Sequence, residues 1–290
     1  MSAASAAVDA PRAPAGGPAD GAMQELGLDT EDFRRVRELI RRRAGISLHA
    51  GKRAMVYGRL SRRLREKGFA SFGSYLQWLE GRHAADAEWQ EFVNCLTTNL
   101  TSFFREAHHF AALAGALRQH NGQSLRLWCS AASTGEEAYS IAITASEALT
   151  HGRTFGIVAS DIDTRVLDSA RRAIYPADAR GLSAERLRRH FLRGTGANSG
   201  AIRVRPELAR TVGFCHHNLL DPHPPAGAPF DFVFCRNVMI YFDAAIQRRV
   251  LQHIHAAMQP HGLLFAGHSE NLGASRDMFR PRGRTVYERV

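Results

Sequence analysis

Apolar residues recur at helical spacing in the first third of the chain and in strand-length runs in the remainder, with the change of period near residue 125. Thr30 reads as an N-cap ahead of EDFRRVRELIRRRAG, where Phe33, Val36, Leu39 and Ile40 share one face and Gly45 supplies the stop. A second helix is predicted from Gly51 to Glu66, with Val56, Tyr57, Leu60 and Leu64 on its apolar side. Phe72, Tyr75, Leu76 and Leu79 mark a third helix, and Trp89 to Leu96 a fourth. From Leu125 onward the runs LRLWCS, FGIVAS, DFVFCR, LLFAG and TVYERV alternate with helical segments at Glu136 to Leu149, Thr164 to Ala173 and Ala244 to Met258. That alternation predicts an α/β domain, Rossmann-like, with a mostly parallel sheet covered on both faces and ligands outside the carboxyl ends of its strands. From about Leu187 to Phe214 the rhythm breaks, and Gly-rich turns between short alternating runs predict a small antiparallel β-subdomain insertion. The first twenty-two residues are mostly Ala, Pro and Gly with no basic start and no signal-like apolar run. The expected organisation is a disordered lead-in over 1–28, a small all-α N-terminal domain over 29–95, a linker over 96–124, and the α/β domain over 125–290 with its insertion at about 187–214.

Composition changes this picture mainly through charge. The formal net charge is +10, and thirteen basic residues between Glu31 and Lys67 face only four acidic ones, so nearly all the excess lies in the helical domain. Lys52, Arg59, Arg62 and Arg63 fall close together beside the apolar stripe of the second helix, with Arg53 next to them, and form a basic surface. No lysine follows Lys67, so a lysine Schiff base or general base has no residue to use in the α/β domain. Cys95, Cys129, Cys215 and Cys235 stand far apart without CxxC spacing, which suits buried thiols in a reducing cytoplasm. No run approaches the length of a membrane span.

The candidate chemistry gathers in three segments. The loop CSAASTGEE after the first strand has Gly135 as its sole glycine, whereas a dinucleotide fingerprint needs several for backbone to approach a pyrophosphate. NAD is therefore disfavoured, and a loop of small residues at a helix start suits a ligand arm without phosphate. Asp161, about twenty-five residues beyond that loop, stands where a carboxylate can accept both hydroxyls of a ribose; an N-cap for the following helix is the alternative reading. LTTNLTSFFREAHHF from Leu96 and FDFVFCRNVMIYF from Phe230 complete the set.

Together these three segments, in this order, resemble the chemotaxis receptor methyltransferases, the CheR family, over about 29–290. The resemblance implies an S-adenosylmethionine-dependent methyltransferase fold and a protein-glutamate O-methyltransferase that esterifies receptor glutamates, releasing S-adenosylhomocysteine. It also implies cofactor contacts at Asn99, Thr101 and Arg105, at Glu136, at Asp161, at Asn218 and Leu219, and at Cys235, Arg236 and Asn237. In that reading Glu136 meets the methionyl arm, Asp161 the ribose, and Asn218 with Leu219 the adenine. A receptor glutamate is ionised at neutral pH, so no general base is required and positioning dominates. Arg105 can hold the carboxylate bidentately and Tyr241 can stand near the transferred methyl; both are expected to be catalytic.

The implied partners are the acidic methylation helices of membrane receptors, docked on Lys52, Arg53, Arg59, Arg62 and Arg63. An aromatic-containing receptor tail peptide is expected to anchor near Gly194, Gly196 and Gly200 in the insertion. A cytoplasmic monomer recruited to receptor arrays is expected, without membrane insertion or nucleic acid. Adjacent histidines at 108–109 and 216–217 are expected to diverge, and no metal is expected. A nucleic-acid methyltransferase and an inactive receptor-binding adaptor remain open as alternatives; the former lacks its Asn-Pro-Pro-aromatic signature here.

Overall fold

A computed structural model of the chain describes residues 26–290, except residues 151 and 271. The expected lead-in lies mostly outside the described residues. Its last part does not match that expectation, because Leu26 and Leu28 are buried in the helical core. Arg53 donates to the Leu28 carbonyl through Nε at 3.1 Å, which ties this segment down.

The N-terminal core is built by α1 (Thr30–Ala44), α2 (Arg53–Glu66), α3 (Phe72–Glu80) and α4 (Ala87–Leu96). The predicted apolar stripes form that core: Val36, Ile40, Val56, Leu60, Leu64, Phe72, Tyr75 and Phe92 are fully buried. The cap of α1 is Asp29 rather than Thr30, its carboxylate accepting the Asp32 amide at 2.7 Å. The start of α2 is a 3₁₀ turn at Ala50–Lys52.

Part of the expected linker is a helix, α5 (His108–Gln119), that packs on the α/β domain. Phe110, Leu113 and Leu117 recur at helical spacing and are buried there with Phe103 and Phe104. The domain continues as β1 (Ser124–Cys129), α6 (Glu136–Ala148), β2 (Thr154–Asp161), α7 (Thr164–Arg172), β3 (Ile174–Pro176), α8 (Ala184–His190), β4 (Phe191–Arg193), β5 (Ala201–Val204), α9 (Pro206–Ala209) and β6 (Val212–His216). It ends with β7 (Phe230–Cys235), α10 (Ala244–Ala257), β8 (Met258–Ala266), β9 (Phe279–Gly283) and β10 (Val286–Arg289). The main sheet runs β6-β2-β1-β7-β8-β10-β9, parallel through β8, with the antiparallel β10 inserted between β8 and β9.

The antiparallel insertion is a three-stranded sheet, β3-β5-β4, and its bounds differ from 187–214 at both ends. It begins at Ile174, directly after α7, and ends at Val204. β6 instead pairs in parallel with β2, from Ile157 opposite Val212 to Asp161 opposite His216. As an edge strand it is half-buried, so its sequence lacks the continuous apolar run that marks the central strands.

The basic surface of α2 also differs from expectation. Arg63 is 15% exposed and clamps the buried Glu88 carboxylate, donating through Nε at 2.8 Å and Nη2 at 2.5 Å. Tyr75 donates its hydroxyl to the same carboxylate at 3.0 Å. Burial works to raise the Glu88 pKa, but the bonds from Arg63 and Tyr75 outweigh it and hold the group below the usual carboxylate range. Arg59 donates to the carbonyls of Leu96 and Thr97 at 3.2 and 2.6 Å, fixing the exit of α4. Arg59 and Arg63 are thus committed internally; Arg53 is exposed but tied to the Leu28 carbonyl, Arg62 is exposed but pairs with Glu66 at 3.0 Å, and Lys52 is exposed.

Removing Arg63 would leave the buried Glu88 carboxylate with only the Tyr75 hydroxyl and the more distant Lys67 ammonium, at 3.4 Å, as partners. Arg63→Ala should therefore lower unfolding free energy by about 3 kcal/mol. Arg62→Ala, whose side chain is 85% exposed, should change it by less than about 0.5 kcal/mol. Urea titration of both variants checks this, and equal losses would remove Arg63 from the scaffold.

Candidate active site

A cavity of about 350 Å³ opens where β1, β2 and β7 end, at the crevice expected of a parallel sheet. Its floor comes from the β1–α6 turn (Ser130, Ala131, Ser133) and from Glu137 in the first turn of α6. Asp161 and Ile162 line one side, and the loop Arg236–Phe242 lines the other. The helical domain supplies the roof, through Ile46–His49, Lys52 and Met55. Gly135 caps α6 at φ +99°, and a Cβ there would stand 2.8 Å from the Tyr175 hydroxyl, so the turn admits only glycine.

Asp161 sits at the centre of one hydrogen-bonded set. Its carboxylate accepts the Ser133 amide at 2.7 Å and the Asp163 amide at 2.9 Å. The helix cap of α7 is Asp163, which leaves Asp161 free of that alternative role. Asp163 in turn accepts the Thr97 hydroxyl at 2.6 Å and the Asn99 amide at 2.8 Å. The Asn99 carbonyl accepts from the Ser133 hydroxyl at 2.9 Å, locking the TTNLT segment across the β1 turn. Burial pushes Asp161 up to about 6 against the pull of its amide donors.

A second set centres on Arg236, whose side chain is fully buried. Its guanidinium donates to Glu137 at 2.5 Å and to the Arg105 carbonyl at 2.7 Å, and lies 3.3 Å from Glu106. Phe104 and Glu106 flank Arg105 with φ of 51° and 58°, left-handed values that non-glycine residues seldom adopt. That strained turn, held by Arg236, presents the Arg105 side chain to the cavity, where it donates to the Leu100 carbonyl at 3.1 Å. Tyr241 lines the same mouth, and its carbonyl accepts the Ser47 amide at 2.7 Å from the helical domain.

Several predicted contacts need correction. Glu136 is absent from the cavity wall and accepts the Thr134 hydroxyl at 2.6 Å; its neighbour Glu137 faces the cavity instead. Cys235 is buried in β7 among apolar side chains, which pushes its thiol pKa far up, so it presents no side chain to a ligand. Asn218 and Leu219 both line the cavity, and the Asn218 side-chain amide also donates to the Arg43 carbonyl at 2.7 Å, joining the domains there. Arg236 lines the cavity wall and also serves as internal support through its bonds to Glu137 and the Arg105 carbonyl. Asn99, Thr101, Arg105, Asp161 and Asn237 do line the cavity.

His108 and His109 do not diverge as expected, since their rings lie 4.1 Å apart. With Glu106 they bring three ligand-type atoms within 4.8 Å. The Arg236 guanidinium beside that carboxylate opposes a second cation there, and it joins burial in pushing His109 down to about 3. Sequence reasoning missed Glu137, Ile162, His217 and the 46–55 roof. The repeated Glu in TGEE and the His before Asn218 were the available signals.

Residues 99–287 match the family profile described as CheR methyltransferase, SAM binding domain, and residues 31–97 that of the CheR methyltransferase all-alpha domain. The chain belongs to the CheR methyltransferase family. It is 52% identical to the chemotaxis protein methyltransferase of Salmonella typhimurium over 91% of this chain and 92% of that one. Identity to the Escherichia coli protein of the same name is 50%, over 91% and 92%. Chemotaxis protein methyltransferase 2 of Pseudomonas aeruginosa is 49% identical, over 91% and 95%. Among solved structures, the rRNA methyltransferase aviRa from Streptomyces viridochromogenes superposes with a TM-score of 0.41 at 14% identity, over 67% of this chain and 87% of that one.

The cavity suits the S-adenosylmethionine of this CheR-type domain on its donor chemistry. Asp161 and Glu137 present carboxylates that repel phosphate but accept hydroxyl and ammonium donors, and the small Ala131 and Ser133 leave room beside them. A hydroxyl donated to Asp161 favours its ionised form, while the unliganded protein keeps the proton below about pH 6. Affinity for S-adenosylhomocysteine should therefore fall as pH drops below about 6, by up to about tenfold per unit. With its folded pKa raised above 3.8, the same group makes the unliganded fold lose stability as pH rises from about 4 to about 6. Calorimetric titration from pH 5 to 8 checks the binding limb, and a slope that persists in Asp161→Asn would assign it elsewhere.

Proposed function

We propose that the protein methylates glutamate side chains on the cytoplasmic helices of chemotaxis receptors, giving glutamate methyl esters and S-adenosylhomocysteine. The Arg105 fork at the cavity mouth carries this reading: one protein carbonyl takes up only part of its donor set, and the rest suits an incoming carboxylate. S-adenosylmethionine supplies the activated methyl group on sulfur. Arg105 orients the glutamate, Tyr241 closes the mouth beside it, and Asp161 with Glu137 fixes the cofactor's polar groups. An ionised glutamate needs no proton removed, so none of these residues has to act as a base.

Incubation with methyl-labelled cofactor, receptor-rich membranes and RNA tests the proposal. Base-labile label on a membrane protein is expected; stable label on RNA would replace this reading by nucleic-acid methylation, and no label by an adaptor role. Arg105→Ala and Tyr241→Phe should each lower turnover by about tenfold to a hundredfold while S-adenosylhomocysteine binding to the folded variant persists. Full activity in either variant would discard that residue's role.

Two contacts would bring the receptor to this site. The exposed Lys52 at the cavity roof and the exposed Arg62 on the same helix, which pairs with Glu66 at 3.0 Å, present positive charge suited to an acidic helix, while Arg53, Arg59 and Arg63 are tied to protein acceptors. The β3-β5-β4 sheet has two free edges, and Ile174 and Leu192 on them are exposed, which suits an extended receptor tail with aromatic residues. Gly194 allows the Asn198 carbonyl to approach, since a Cβ there would meet it at 2.0 Å; Gly196 and Gly200 turn the chain with φ of 56° and 86°. In this reading the protein works as a monomer, recruited through these contacts to cytoplasmic receptor arrays. The double reversal Lys52→Glu with Arg62→Glu should slow methylation of every receptor in a salt-dependent way. Gly194→Val should abolish tail-peptide binding and slow only tailed receptors; peptide affinity unchanged by calorimetry would remove the anchoring role.

A further inference from the structure

Glu270 is a buried carboxylate for which the chemistry above has no use, and it lies in the loop after β8. Its Oε1 accepts the amides of Val238 and Met239, both at 2.8 Å. Oε2 accepts the amides of Asn237 at 3.0 Å and Gly267 at 2.5 Å. Three of these four donors are consecutive residues of the loop that leaves β7. Asn237 is left-handed at φ 57° and Val238 right-handed at φ −119°, ψ −35°, so successive N–H groups turn toward one point. Such a backbone concavity binds an anion, and here a side chain of the same protein fills it.

The loop so held carries Asn237, Val238, Ile240 and Tyr241 to the cavity wall. The site has been shaped to admit the carboxylate. A Cβ at Gly267 would lie 2.7 Å from both Glu270 Oε2 and Asn237 Nδ2, and 2.8 Å from the Asn237 amide. Isolated turns do not need this construction: the loop's own 3₁₀ turn at Met239–Tyr241 closes with ordinary backbone bonds. The extra anchor from outside the loop fixes where that turn stands relative to the sheet.

We infer that Glu270 is a positioning residue for the methyl-transfer site, an internal anion that sets the Asn237–Tyr241 loop and with it the Tyr241 side chain. The inference rests on the proposed methylation only for its kinetic consequence. A glutamine at 270 keeps size and shape, but whichever way its amide lies, two backbone N–H groups face an NH₂ instead of an acceptor.

Glu270→Gln and, independently, Gly267→Ala test it by two readouts. Hydrogen exchange of the 237–239 amides should quicken by about tenfold or more, with the amides of β1 and α1 unchanged. Turnover on receptor glutamates should fall by about tenfold to a hundredfold, while the Kd for S-adenosylhomocysteine, held chiefly from the Asp161 side, stays within about threefold. If wild-type protein does not label receptors, the proposed function falls and the exchange measurement alone decides the loop's anchor. Protection of 237–239 unchanged in both variants, or turnover within about twofold of wild type, would overturn the inference. Loss of folding in both variants would also overturn it, by making Glu270 a residue of general stability.

Discussion

The buried Arg236 guanidinium is the constraint on which the site depends. A cation without solvent must be neutralised by groups already in place, and Glu137 and Glu106 supply that from two different segments. Because Glu137 belongs to the first turn of α6 and Glu106 to the strained turn before α5, one side chain at the end of β7 fixes both. Its bond to the Arg105 carbonyl then sets the backbone from which the Arg105 side chain departs. Burial is the largest influence on Glu106 and works to raise its pKa, but the charge and bonds of Arg236 together with the donors of His268 and Asn237 outweigh it, so the carboxylate is held below its usual range and the cluster stays paired.

The two cores meet around the same centre. Gly45, left-handed at φ 75°, ends α1 where a side chain would press on Ile246, Leu220 and Phe242 within 3.1 to 3.3 Å. Close approach at that point lets Ser47 bond to the Tyr241 carbonyl and Asn218 to the Arg43 carbonyl. Asn218, read from the sequence as a ligand contact, both lines the cavity and joins these parts through the Arg43 carbonyl.

Periodicity made the helical stripes and the central parallel strands legible, because burial on one face or on both leaves a direct trace in residue order. It failed at β6 and α5. An edge strand carries half the apolar signal, and a short helix behind a polar, Thr-rich segment is masked by its neighbours. The three motif segments converge on one crevice, with Asp161 and Arg105 at its wall. Which of two adjacent glutamates faces inward depends on the phase of α6, set by the left-handed cap at Gly135, and residue order alone does not carry that phase. The internal commitment of Arg59 and Arg63 was equally hidden, since a basic stripe reads the same whether its partners are solvent or a buried Glu88.

The roof over the cavity comes from a body with its own hydrophobic core, separate from the core beneath the floor. A molecule lodged between them touches both, so its binding energy is shared as adhesion between the two bodies. The two bodies are also held directly, at Gly45, Ser47 and Asn218, by the Arg41–Asp243 pair at 2.7 Å, and by Gln90 and Asn94 of α4, which donate to the Ile162 carbonyl at 2.7 Å and to the Thr164 hydroxyl at 3.0 Å, so a molecule in the cavity adds to a seam already closed by polar bonds. A ligand that fills the cavity therefore raises the stability of the helical and α/β parts together, by mass action, rather than that of either one alone.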